Sequence, residues 1–134
     1  MAPNSSLVMN MRTRTGVRQF SWSLDGKGEQ WTAPTAAPFA FAGKYAGGST
    51  ESSTLRVPGS DLLLFSTPFS QRARANLTIF ASRDSGASWQ FERHVDAGSS
   101  AYSALIDINQ THYGVAWESG NYGAISFQAL PLPA

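Results

Sequence analysis

The sequence predicts an all-β fold, and three observations support this prediction. Short apolar runs alternate with clusters of Gly, Asp, Asn and Ser along the whole chain. The 134 residues include 12 Gly, 7 Pro and 8 Phe, 4 Tyr and 4 Trp, while charged residues make up only 14%. This composition suits short strands joined by turns better than long amphipathic helices. A chain of this length is expected to form one domain with a hydrophobic core.

Nine strand-like segments rich in β-branched and aromatic residues follow one another. In order they are SLVMNMRT, RQFSWSL, STLRV, DLLLFST, NLTIFASR, QFERHV, YSALIDI, YGVAWES and AISFQAL. The intervening DGKGEQ, VPGSD, RDSGAS, DAGSS and SGNYG supply the residues that tight hairpins need. The Pro-, Ala- and Gly-rich segment 31–48 is expected to be a long connection with one edge strand, FAFA. The predicted sheets are therefore antiparallel.

Composition also excludes several classes of function. The net charge of +1 offers no cationic field for a nucleic acid, although most of the ten basic residues are arginines, which suit bidentate binding of a carboxylate. The chain has no cysteine, and neither His94 nor His112 has a neighbour at ligand spacing, so no metal or other cofactor is expected. The N-terminus lacks the pattern of a signal peptide, and no apolar run is long enough to span a membrane. We therefore expect a soluble chain, whose compartment the sequence does not indicate.

One internal repeat is present, in SLDGKGEQW and SRDSGASW. The second copy has the pattern Ser-x-Asp-x-Gly-x-x-Trp, and the first has one added residue before the glycine. In such a box the aspartate accepts backbone hydrogen bonds, the glycine permits the turn and the tryptophan packs between strands. We therefore interpret the boxes as structural, and their spacing predicts similar sheet units repeated around an axis, as in a β-propeller. The residues concerned are Ser23, Asp25, Gly28 and Trp31, and Ser82, Asp84, Gly86 and Trp89.

The two boxes resemble the Asp-box repeats of the sialidase (neuraminidase) superfamily. SLVMNMRT resembles a family strand that ends in Asn-x-Arg, and RANLTIFASRDSGASW resembles the strand in which an arginine precedes an Asp box. AYSALIDINQTHYGVAWESGNYGAISFQAL is similar to the C-terminal tyrosine segment. The resemblance implies a six-bladed propeller of antiparallel, four-stranded blades. Residues 1–134 would form a single partial domain of about three blades, similar to the fourth to sixth.

In that family, three arginines bind the carboxylate of a terminal sialic acid. By resemblance, Arg12 in Asn-Met-Arg matches the second arginine, and Arg74 in RANLT matches the third. Arg14 and Arg72 are close competitors, and strand alternation puts Arg12 and Arg14 on the same face. The alternative is that Arg12 and Arg74 are solvated arginines at strand ends.

Tyr102, in AYSAL, matches the family's nucleophile. A neutral phenol can approach an anomeric carbon that carries a carboxylate without the like-charge repulsion an acidic nucleophile would meet, although it needs a neighbouring base. Glu118 matches the glutamate that holds the first arginine of the triad in position. The alternatives are a buried tyrosine whose hydroxyl is bonded to the backbone and an exposed glutamate near a hairpin.

Three family groups have no match here: the first arginine, the general-acid aspartate and the glutamate that activates the tyrosine. All three are expected upstream of Arg12, where MAPNSSLVM contains no acidic residue. The sequence therefore predicts the C-terminal part of a retaining exo-α-sialidase-like glycoside hydrolase for sialylated glycans, inactive as an isolated chain. The alternative is a non-catalytic half-propeller that binds sialic acid or is purely structural. Such a module would pair with a second copy or with a missing N-terminal half.

Overall fold

The computed structural model describes residues 7–37 and 50–134, which form two antiparallel sheets. The expected FAFA strand lies outside these residues. The smaller sheet has the order β1-β2-β3 and the larger the order β4-β5-β6-β7-β8-β9. In the smaller sheet, the strands are β1 (Val8–Met11), β2 (Gln19–Trp22) and β3 (Thr35–Ala36). The larger sheet contains β4 (Ser53–Arg56), β5 (Leu63–Pro68), β6 (Ala75–Ser82), β7 (Gln90–Asp107), β8 (His112–Ser119) and β9 (Ala124–Pro131).

Strand β7 is 18 residues long and joins two sections of the larger sheet. Its first half pairs with β6, and its second half pairs with β8. The sequence predicted two strands separated by a turn at DAGSS, and this was wrong. The segment stays in the ladder because Asp96 and Ser99 are paired with β6 and Ser100 is already paired with β8.

The described residues therefore form three blade-like units: β1 to β3, β4 to the first half of β7, and the second half of β7 to β9. The middle unit has four strands, and each outer unit has three within the described ranges. The all-β, antiparallel prediction is confirmed. Within those ranges, no helix is long and apolar enough to cross a membrane.

The middle unit is buried on both faces, which explains the uninterrupted apolar run in β5. Phe65 and Leu63 pack on one face with Phe20 of β2, while Leu64 packs on the other with Tyr113 of β8. Successive strand residues point to opposite faces, so a strand between two layers can be apolar at consecutive positions. The two hydrophobic clusters hold the three units together.

Each Asp box closes the turn between the last two strands of its unit. In the first box, Ser23 Oγ donates to Asp25 Oδ1 at 2.6 Å, and the N–H groups of Lys27 and Gly28 donate to the same oxygen at 2.9 and 3.1 Å. Trp31 Nε1 donates to the Gly28 carbonyl at 2.8 Å. The hydrogen bond from Ser23 and those from the backbone lower the pKa of Asp25 to about 2.

The second box has the same arrangement. Ser82 Oγ and the Ser88 N–H both donate to Asp84 Oδ1 at 2.8 Å, and Trp89 Nε1 donates to the Gly86 carbonyl at 3.0 Å. Gly86 has a φ of +82°, a backbone conformation that glycine adopts without strain. A buried Trp89 therefore contributes both its apolar ring and a hydrogen bond that fixes the turn.

Candidate functional site

Strand register brings distant parts of the chain to one edge of the larger sheet. Ala75, which begins β6, pairs with Ser99 in the middle of β7. The next residue of β7, Ser100, pairs with Ser119 at the end of β8. This edge of the sheet therefore brings together residues just before β6, just beyond the middle of β7 and near the end of β8. Three of the predicted site residues, Arg74, Tyr102 and Glu118, occupy these places.

A β-bulge shapes the strand at Tyr102. The register between β7 and β8 shifts between Ser100 and Ser103, so that Ala101 and Tyr102 together lie opposite Glu118. The Tyr102 N–H donates to Glu118 Oε2 at 3.1 Å. A bulge leaves one residue outside the regular ladder and turns its side chain, and bulges are frequent beside functional sites. Here a carboxylate accepts the displaced N–H.

Arg12 follows β1 and contacts the tyrosine directly. Its Nη1 donates to the Tyr102 hydroxyl at 3.1 Å, and its guanidinium carbon lies 5.9 Å from the centre of the Tyr102 ring. Arg12 is exposed and Tyr102 is half-buried. This bond spans 90 residues of sequence. The first unit therefore supplies a positive charge to the tyrosine of the last unit.

Arg74 lies over the same ring from the middle unit. Its guanidinium carbon is 5.2 Å from the centre of the Tyr102 ring, within the range of a cation–π contact. Its Nη1 donates to the hydroxyl of Tyr122 at 3.1 Å. The ring of Tyr102 is thus flanked by two guanidinium groups, and one of them is held between two tyrosines.

The competing arginines have different surroundings. Arg14 and Arg72 are both exposed, and in the described part of the chain the cationic contacts of Tyr102 come from Arg12 and Arg74. The sequence left Arg12 and Arg14 unresolved because both lie on one face. The backbone leaves β1 after Met11 and turns, so a two-residue spacing no longer means a shared environment.

Sequence reasoning missed Arg18, a buried arginine behind Arg12. It is only 3% exposed, its Nη1 donates to Asn10 Oδ1 at 2.8 Å and its Nη2 donates to the Thr50 carbonyl. The guanidinium lies 5.3 Å from the Phe65 ring centre. Burial, with repulsion from Arg12, lowers the pKa of Arg18 to about 10. The available signal was the spacing from Phe20: Arg18 precedes this buried residue by two positions, and residues two apart on a strand share a face.

Tyr122 was also missed. It lies in the turn between β8 and β9, is exposed, and has a φ of +68°. The sequence SGNYG predicts this turn, but it does not show which residues take positive φ or which side chain contacts an arginine.

Two depressions adjoin these residues. A shallow hollow of about 220 Å³ is lined by Glu51, Tyr102 and Glu118 with apolar residues of β7 to β9. An open cleft of about 520 Å³ is lined by Arg74, Ser99 and Tyr122, with Gly98 and Asn121 at its sides. Within 7–37 and 50–134, no three His, Asp or Glu side chains are grouped so that they could hold a metal ion.

Residues 1–115 match the family model described as the BNR repeat-like domain. This chain belongs to that family. A sialidase of Bacteroides fragilis (strain YCH46) is 33% identical to this chain over 132 residues, covering 94% of the chain and 24% of the sialidase. The chain therefore spans about a quarter of the length of this curated relative.

Solved sialidase structures superpose on almost the whole of this chain. The Hadza microbial sialidase Hz136 has a TM-score of 0.78 and 32% sequence identity, with 98% of this chain and 26% of Hz136 covered. The leech intramolecular trans-sialidase, solved with 2,7-anhydro-Neu5Ac, has a TM-score of 0.75 and 20% identity, with 96% of this chain and 22% of the leech protein covered. The predicted resemblance to an Asp-box propeller of the sialidase superfamily is therefore confirmed.

Proposed function

We propose that this BNR repeat-like domain is the C-terminal part of an exo-α-sialidase-like glycoside hydrolase, and that it binds the carboxylate of terminal sialic acids. The observation that carries the proposal is the position of Arg12 and Arg74, whose guanidinium groups flank the Tyr102 phenol. Planar guanidinium groups bind carboxylates through charge-assisted, often bidentate hydrogen bonds. The sialidase relatives support a sialic acid ligand over other carboxylates.

The arrangement also suits a tyrosine nucleophile. In the proposed reaction, the Tyr102 oxygen forms a bond to the anomeric carbon as the bond to the leaving oxygen breaks. The phenol proton passes to a base, the leaving oxygen takes a proton from an acid, and water later releases the sugar with retained configuration. The Arg12 N–H that points at the phenol oxygen would stabilise negative charge there as the proton leaves.

The isolated chain is expected to hydrolyse sialosides poorly or not at all. Glu118 accepts the Tyr102 N–H, which suits a carboxylate that supports the strand rather than one that takes the phenol proton. General acids and bases each contribute about 10² to 10⁴ in rate. Incubation with a fluorogenic sialoside tests this, and turnover comparable to that of a complete sialidase would contradict it. Glu51, which lines the hollow beside Tyr102, would then be the first residue to replace.

Binding is tested by titrating the chain with N-acetylneuraminic acid, followed by NMR or calorimetry. We expect saturable binding that is lost in Arg74→Ala and in Arg12→Ala. Arg72→Ala and Arg14→Ala are matched controls, because they remove the same charge two residues away from exposed positions. Equal loss of binding in the controls would mean that net charge, rather than the pair at Tyr102, attracts the sugar.

A second candidate is a structural half-propeller that pairs with another copy of itself, and exposed apolar side chains favour it. Ile106, Ile125 and Phe127 are exposed on the last unit, and Leu7 and Met9 are exposed on the first. A two-fold pair would place the last unit of each copy against the first unit of the other, which removes both faces from water and closes a ring. Sedimentation should then show a dimer that Phe127→Ser weakens, and a monomer at all concentrations would exclude it.

A further inference from the structure

The turn between β8 and β9 has an unusual backbone. Gly120, Asn121 and Tyr122 have consecutive φ values of +56°, +54° and +68°. Glycine and asparagine adopt this left-handed conformation readily, whereas a bulky side chain does so at a cost in free energy. Such conformations persist where the surrounding structure holds them, and they are frequent at binding sites.

Burial does not explain the conformation of Tyr122. Its side chain is 61% exposed, so packing of the ring offsets little of the backbone cost. The turn is tied to β7, because the Asn121 N–H donates to Ser99 Oγ at 3.2 Å. The contact that Tyr122 makes from this position is to Arg74, whose Nη1 donates to the phenol oxygen at 3.1 Å.

Arg74 is contacted from two sides. The ring of Tyr102 lies under its guanidinium at 5.2 Å, and the hydroxyl of Tyr122 accepts one of its N–H groups. An arginine side chain loses considerable rotamer freedom when it binds a ligand, and affinity rises when that freedom is already restricted in the free protein. Groups that hold a binding side chain in place therefore contribute to affinity without touching the ligand.

We infer that Tyr122 is a positioning residue that holds the guanidinium of Arg74 in place to receive a carboxylate, and that its strained backbone serves this contact. The inference rests on the proposed binding of sialic acid at Arg12 and Arg74. It assigns to the turn SGNYG a role in affinity in addition to that of joining two strands. Since the contact is made by the hydroxyl, a phenylalanine at this position would keep the ring and lose the function.

The test compares three variants for thermal stability and for the Kd of N-acetylneuraminic acid. Tyr122→Phe should weaken binding roughly fivefold, because the freed Arg74 side chain must then be ordered when the ligand binds. The melting temperature should stay unchanged, since the lost hydrogen bond lies at an exposed position. Tyr122→Gly should weaken binding at least as much and raise the melting temperature, because the left-handed strain is relieved. Asn121→Gly is the matched control, since it changes the neighbouring left-handed residue and keeps Tyr122. Its Kd should equal that of the wild type.

The outcomes separate this inference from the proposed function. If the wild type binds and Arg74→Ala does not, an unchanged Kd in Tyr122→Phe overturns the role of Tyr122 and leaves the proposed function standing. If the wild type does not bind, the proposed function fails, and the Nε–Hε NMR signal of Arg74 decides the inference. Greater mobility of that group in Tyr122→Phe upholds the positioning role, and an unchanged signal overturns it.

Discussion

Glu118→Ala is expected to destabilise the chain through Tyr102. The substitution removes the oxygen that accepts the Tyr102 N–H at 3.1 Å and leaves this donor in the bulge without its acceptor. A hydrogen bond to a charged group contributes about 1.5 to 3 kcal/mol, and an unsatisfied buried donor costs a similar amount. Glu118 and Tyr102 are only half-buried, so water can partly replace the carboxylate. We expect a loss of about 1 to 2 kcal/mol.

Urea denaturation followed by tryptophan fluorescence measures this loss, and hydrogen exchange of the Tyr102 amide locates it. In Glu118→Gln the amide oxygen still accepts the hydrogen bond but carries no charge. The loss of stability should therefore be about half that of Glu118→Ala, because charge-assisted bonds are about twice as strong as neutral ones. Glu51→Ala is a control at an exposed carboxylate on the same hollow, and it should be nearly neutral. If Glu118→Ala matched the wild type in stability and in protection of the Tyr102 amide, the carboxylate would not hold the bulge, and our account of the strand would be wrong.

Two other predictions concern stability. The hydroxyl of Tyr113 is buried and has no hydrogen-bond partner among the described residues, and burial raises its pKa to about 12. Tyr113→Phe should therefore raise the free energy of unfolding, measured by urea denaturation, by about 1 kcal/mol. A loss of stability would indicate an unseen partner. The Ser23 hydrogen bond holds the pKa of Asp25 at about 2, below its usual 3.8. Because the pKa of Asp25 is lower in the folded state than in the unfolded state, the stability that its ionised carboxylate contributes is fully present above about pH 4. That stability is lost as the pH falls towards 2. Asp25→Asn should flatten the pH dependence of the urea midpoint in that window, and an unchanged profile would assign the acid sensitivity to other carboxylates.

Several features could be predicted from the sequence because they depend on interactions between residues close together in the chain. An Asp box is formed by residues within nine positions of one another, so Ser23, Asp25 and Trp31 already determine its turn. Alternation along a strand depends on neighbours two apart, and this predicted short antiparallel strands between turns. The resemblance to sialidases identified Arg12, Arg74, Tyr102 and Glu118 as candidates. In the structure the other three all contact Tyr102, although their chemical roles are not tested by it.

Other features depended on contacts between distant segments. DAGSS has the composition of a turn, yet it continues β7, because β6 pairs with one half of that strand and β8 with the other. By resemblance, Glu118 would hold an arginine that has no match in this sequence, and that role stays a prediction. The contact that the sequence did not indicate is the hydrogen bond from the Tyr102 N–H to Glu118, which the bulge makes available.

The sequence by itself determined the turns of the two Asp boxes, the alternation of the strands and the residue types at the candidate site. The tertiary structure alone decided that Arg12, rather than Arg14, contacts Tyr102, that Arg18 is buried, and that Arg74 donates a hydrogen bond to the Tyr122 hydroxyl. The physical reason is the range of the interactions. Turns and alternation depend on residues a few positions apart, whereas these contacts depend on the register between strands from different units, which no local pattern encodes.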